Sequence, residues 1–153
     1  VPGCRCLPTP NHTFRRGTGR TAMSTNGKPE KKAVIFCTCS GACPSMTKID
    51  FWELSERVRL DLGDHVEFLA MHPRLCEEDG ERLMAHLLDK SIQFITPACL
   101  EKKQAKLLRD GFQKADVPMD ADHWVPVNMS KEDTETVFTR IKAALVLPTE
   151  AGQ

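Results

Sequence analysis

What most constrains this chain is a fourfold alternation. Four times, a short apolar run rich in β-branched residues gives way, after a brief joint, to apolar residues at helical spacing. The first run, Ala33-Val34-Ile35-Phe36 up to Cys37, predicts a buried strand over 32–37. A helix within 47–62 then carries Phe51, Leu54, Val58 and Leu62 on one face, with Gly63 placed to cap its end. The second strand is expected over 65–71. It leads through His72-Pro73-Arg74-Leu75 to Cys76 and a helix striped by Leu83, Met84, Leu87 and Leu88. A third strand over 92–96 closes in Pro97-Ala98-Cys99, and its helix buries Ala105, Leu108 and Phe112. A connector with Gly111, Pro118 and Asp120 reaches the fourth strand, 123–128. Pro126 lacks a ladder donor and assigns that strand to an edge. Ser130-Lys131-Glu132-Asp133 reads as a capping box before a helix carrying Val137, Phe138, Ile141 and Leu145.

Such alternation with short joints predicts an α/β fold. The expected architecture is a single domain with an open, mainly parallel four-stranded sheet and helices on both faces, in Rossmann- or flavodoxin-like βα repeats. A length of 153 residues suits one core. Residues 1–30 are rich in Pro and Gly without hydrophobic period and read as a disordered tail. Residues 31–147 form the cysteine-rich domain and 148–153 a second tail. Met23-Ser24-Thr25-Asn26 looks like an ordinary start, so 1–22 are expected to lie outside the native protein. Those residues hold Arg5, Arg15, Arg16 and Arg20 and no acid, so the zero formal charge conceals an acidic remainder. That sign gives no electrostatic reason to bind nucleic acid. No apolar run approaches the roughly 20 residues of a membrane span.

Seven cysteines, an odd number with no signal-peptide pattern, make a poor disulfide framework. Metal or redox chemistry in a cytoplasmic protein is the expectation. Right-handed crossovers put every strand's carboxyl end on one edge of the sheet, where ligands bind in open α/β folds. Cys37 and Cys39 end the first strand, Cys76 follows the second, and Cys99 ends the third. A lone free cysteine usually just fills space. Four at equivalent joints point instead to convergence on a shared metal site, with Ser40-Gly41 assisting the turn. By ligand type, zinc and an iron–sulfur cluster serve equally. Structural zinc favours two close pairs, whereas this chain offers one C-x-C pair and two distant cysteines. One 4Fe–4S cluster is therefore the expected cofactor, held by Cys37, Cys39, Cys76 and Cys99. Structural zinc is the alternative, as is a thiol–disulfide enzyme or sensor using Cys39 and Cys43. Cys4 and Cys6 repeat the 37/39 spacing, but nothing would hold them in place.

Val34-Ile35-Phe36-Cys37-Thr38-Cys39-Ser40-Gly41, followed by Lys48-Ile49-Asp50, resembles the amino-terminal iron–sulfur domain of the flavoprotein subunit of heterodisulfide reductase. Cys76, Thr96-Pro97-Ala98-Cys99-Leu100 and Asn128-Met129-Ser130 resemble its later motifs in the same order, over 32 to about 145. The resemblance implies a 4Fe–4S electron-transfer module on the same four cysteines, serving a redox partner protein and carrying no substrate site of its own. Departures are Ser40 before Gly41, and Cys43-Pro44-Ser45-Met46, which adds a fifth thiol. No G-x-G-x-x-G follows a strand, so no FAD or NAD site is evident.

No catalytic residue is singled out. Among the histidines, His65, His86 and His123 read as exposed or capping, and His72 alone as a neighbour of the site. Asp50 and Glu53 complement the first helix's dipole. Trp52 and Trp124 are expected in the core or an interface, and Lys102, Lys103 and Lys106 on a solvated face that could dock an acidic partner.

Overall fold

Strand β1 (Lys31–Cys37) lies in the middle of the sheet, and its side chains explain both faces. Successive residues of a strand point to opposite sides. Val34 and Phe36 join one buried cluster with Leu54, Val58, Val137 and Ile141, while Ala33, Ile35 and Cys37 join a second with Met84, Leu108 and Phe112. A strand buried on both faces cannot alternate apolar with polar, hence its continuous run. The computed structural model describes residues 28–146. The expectations for Cys4, Cys6, the start at Met23 and most of both tails lie outside the described residues.

Strands β2 (Leu69–His72), β3 (Ile92–Ala98) and β4 (Trp124–Asn128) complete an all-parallel sheet in the order β2-β1-β3-β4. Helices α1 (Phe51–Asp61) and α5 (Thr134–Val146) cover one face. Helices α2 (Glu78–Leu87), α3 (Glu101–Leu107) and α4 (Arg109–Lys114) accompany the other. The fold is the expected α/β architecture. Pro126 sits on edge strand β4, opposite Thr96. Phe94 N–H donates to the His123 carbonyl, so by alternation the odd-numbered residues of β4 face β3 and Pro126 faces outward. Pro97 is tolerated inside β3 for a related reason. It would next face β1, whose pairing with β3 has ended at Val34 opposite Ile95.

Several boundaries differ from the sequence expectation. The second strand begins at Leu69, and His65 closes a 3₁₀ turn (Gly63–His65). Segment 66–68 still bonds to β1, through Glu67 N–H to Lys32 O at 2.8 Å and Val34 N–H to Phe68 O at 3.1 Å. Gly63 is not in the left-handed region and makes no glycine cap. The third helix breaks at Leu108 into α3 and α4, and Gly111 lies inside α4 instead of a connector. A Cβ there would stand 2.2 Å from Met84 Cε, so this glycine admits α2 rather than ending a helix. The capping box shifts as well. Lys131 has φ 64°, which no helix accepts, and Asp133 Oδ1 caps α5 by accepting Thr136 N–H at 2.8 Å. Trp52 is 80% exposed and belongs to no core, whereas Trp124 is half-buried against Phe112.

Candidate functional site

The β1–α1 joint begins where hydrogen bonding to β3 has stopped and β2 is also ending, opposite His72. There the chain reverses through three residues in the left-handed region, Cys39 (φ 49°), Ser40 (φ 56°) and Gly41 (φ 67°). Only the glycine takes that conformation freely. The other two cost on the order of 1–2 kcal/mol each. What holds them is the neighbouring joint: Thr38 N–H donates to His72 O at 3.1 Å and Ser40 N–H to Pro73 O at 2.9 Å. The turn leaves Cys39 two residues past Cys37, one of the groups that oppose ionisation of its thiol. A second 3₁₀ turn (Pro44–Met46) follows Cys43, and its Ser45 carbonyl accepts Lys131 N–H at 2.5 Å from the β4–α5 joint. Asp50 ends the stretch as the N-cap of α1, accepting from Trp52 and Glu53 N–H at 3.0 and 2.9 Å.

All four sequence-predicted ligands stand at the carboxyl-terminal edge of the sheet. Cys37 is buried, and Cys39, Cys76 and Cys99 are half-buried. Cys37 is the common neighbour. Burial raises the Cys39 thiol first, and Cys37, Cys43 and Cys99 push it further, to about 12. Burial and then Cys37 raise Cys76, and burial and then Cys37 raise Cys99, with Cys76 adding to the latter. Each would resist ionising beside the others. Two cations act the opposite way, Arg74 on Cys76 and Lys103 on Cys99. A thiol as reluctant to ionise as that of Cys39 is a poor nucleophile near neutral pH.

The fifth thiol joins the rim. Cys39, Cys43 and Cys76 line an open pocket of about 280 Å³ with Ala42, Arg74 and Glu77. Arg74 Nε donates to Ser40 Oγ at 3.3 Å across it. His72 stands beside the joint, as expected. Its Nδ1 accepts Arg74 N–H at 3.1 Å, which leaves Nε2 as the protonated nitrogen facing Asp79 at 3.4 Å. His65 and His86 are exposed, and His123 is half-buried against Asp120. Lys102, Lys103 and Lys106 lie on an exposed face of α3.

By chemistry the donors suit a thiolate-bound metal, with four thiols from three neighbouring strand ends. As their side chains stand, no group of three or more His, Cys, Asp or Glu among the described residues could hold a metal ion. Also among the described residues, no helix is long and apolar enough to cross a membrane.

Sequence reading missed Gln104. It is 1% exposed, and its amide reaches Cys99 O, Val127 O and Thr96 Oγ1. A signal existed, since Gln104 falls in one row with Leu108 and Phe112 at i, i+4 and i+8. A polar residue in an apolar row needs buried partners. No protein-family model and no curated protein matches the chain.

Proposed function

We propose that this chain is a 4Fe–4S electron-transfer module, an accessory subunit of an oxidoreductase like heterodisulfide reductase, with Cys37, Cys39, Cys76 and Cys99 as ligands. The observation that supports this most is topological: Cys37 and Cys39, Cys76 and Cys99 follow the carboxyl ends of three adjacent parallel strands. The thiols of Cys39, Cys76 and Cys99, whose ionisation burial and neighbouring cysteines oppose, would be stabilised as thiolates by a cationic centre shared with Cys37. Because the side chains do not form a metal-holding group as they stand, binding requires them to turn toward a common centre.

A bound cluster would supply one-electron storage at a potential set by sulfur hydrogen bonds and exposure. The chain's own residues supply the rest. Buried Cys37 anchors the site, while half-buried Cys39, Cys76 and Cys99 lie nearer the surface a partner would approach. Arg74 and Lys103 offset negative charge at Cys76 and Cys99. The reading places the protein in the cytoplasm with a redox protein as partner.

Thiol–disulfide exchange is the second reading, because Cys39 and Cys43 line one pocket. A serine series separates the two. Under cluster binding, Cys43→Ser keeps the iron and the visible band near about 400 nm, and Cys39→Ser loses most of both. Under exchange, both variants lose activity alike and neither parent nor variant carries iron. Iron retained in Cys39→Ser but lost in Cys43→Ser would reassign the fourth ligand to Cys43.

A further inference from the structure

Cys99 occupies a joint of only two residues between β3 and α3, and a buried polar chain is built around it. Trp124 Nε1–H donates to Thr96 Oγ1 at 2.8 Å, and the Thr96 hydroxyl in turn donates to Gln104 Oε1 at 2.8 Å. Both Gln104 amide hydrogens are then used, on Cys99 O at 2.6 Å and Val127 O at 3.2 Å. Thr96 and Gln104 are each 1% exposed, and no buried side-chain nitrogen or oxygen among the described residues lacks a partner. The direction of the chain is forced. Two carbonyls face the amide nitrogen, so a flipped amide would set its oxygen against both. Such aligned chains strengthen one another in a low-dielectric interior.

We propose that Gln104, oriented by Thr96 and Trp124, is a positioning residue that fixes the Cys99 joint against β4 and so fixes where its thiol stands at the sheet edge. Gln104 N–H also donates to Leu100 O at 3.0 Å, closing the first turn of α3 over the joint. Met129 N–H to Ala98 O at 2.8 Å ties the same strand end to β4. A carboxamide is required at 104, since a carboxylate cannot donate to two carbonyls and an apolar chain can neither donate nor accept. The significance of this placement rests on Cys99 being a ligand; the placement itself does not.

The test is a timed iodoacetamide pulse on the metal-free full chain, with labelling of Cys99, Cys76 and Cys39 followed separately by mass spectrometry. Gln104→Met is expected to raise Cys99 labelling about tenfold, with Cys76 and Cys39 changing less than about twofold. If Gln104→Met does not fold, the Thr96 pair decides. Thr96→Ser keeps the hydroxyl and is expected to label like the parent, and Thr96→Val to show the selective rise at Cys99. Unchanged Cys99 labelling, a uniform rise at all three thiols, or identical behaviour of the two Thr96 variants would overturn the proposal. Iron analysis of the parent runs separately. Selective labelling with no iron would sustain the positioning role and remove the cluster reading.

Discussion

Two joints deliver cysteines to the same edge by opposite means. The β3–α3 joint is two residues long and is clamped from below by its own helix, through Gln104. The β1–α1 joint spans residues 38–50, contains two strained non-glycine residues, and takes its order from neighbours. Pro73 O, His72 O and Lys131 N–H hold its backbone, and Asp50 N–H donates to Thr134 Oγ1 at 2.9 Å at its far end. The difference teaches that one edge can combine a rigid cysteine position with an adaptable one. Cys99 is placed by buried side-chain hydrogen bonds, which are costly to break. Cys39 and Cys43 are placed by backbone ties at the surface, which yield more easily.

The comparison breaks most severely at Gly80. A Cβ there would lie 2.5 Å from Arg74 O and from Leu75 Cα, backbone atoms that cannot step aside. Alanine's better helix propensity, about 1 kcal/mol, is outweighed. Gly80→Ala is expected to cost about 3 kcal/mol in urea unfolding. It should also displace the segment that holds Ser40, so native-state labelling of Cys39 rises while that of Cys99 does not. Equal rises would mean the two joints are not independent.

Asp50→Ala tests the far end of the long joint. It removes two N–H bonds from the first turn of α1 and is expected to cost about 1 kcal/mol. Thermal unfolding checks the size, and Cys43 labelling should rise more than Cys99 labelling. The smallest effect has the opposite sign. Ser40→Gly relieves a left-handed serine and gives up only an exposed 3.3 Å bond from Arg74. A gain of about 0.5 kcal/mol is expected after the added chain entropy of glycine is counted. A loss on Ser40→Gly would show that the joint is not strained.

Much of this was legible in the chain. The alternation gave the sheet, Pro126 gave the edge, and the common position of Cys37, Cys39, Cys76 and Cys99 at strand ends gave the neighbourhood. What stayed hidden depends on contacts distant in sequence. Gly111 reads as part of a connector until Met84 is seen to need its space, and the partners that Gln104's place in an apolar row calls for, Thr96 and Val127, come from strands β3 and β4. The capping box at Ser130 failed because Ser130 N–H is taken by Asn128 Oδ1 at 2.8 Å and Lys131 turns left-handed. Trp52 lies outside the core for a simpler reason, since a large apolar residue beside a buried stripe is not thereby part of it.

The most direct test is the iron and acid-labile sulfide content of the full chain purified without oxygen, with an electron paramagnetic resonance spectrum of the reduced protein. The expected result is about four iron and four sulfide per chain, with a signal from a single reduced cluster. Protein that binds no iron under these conditions, or one zinc ion in its place, would contradict the assignment of Cys37, Cys39, Cys76 and Cys99 to a 4Fe–4S centre.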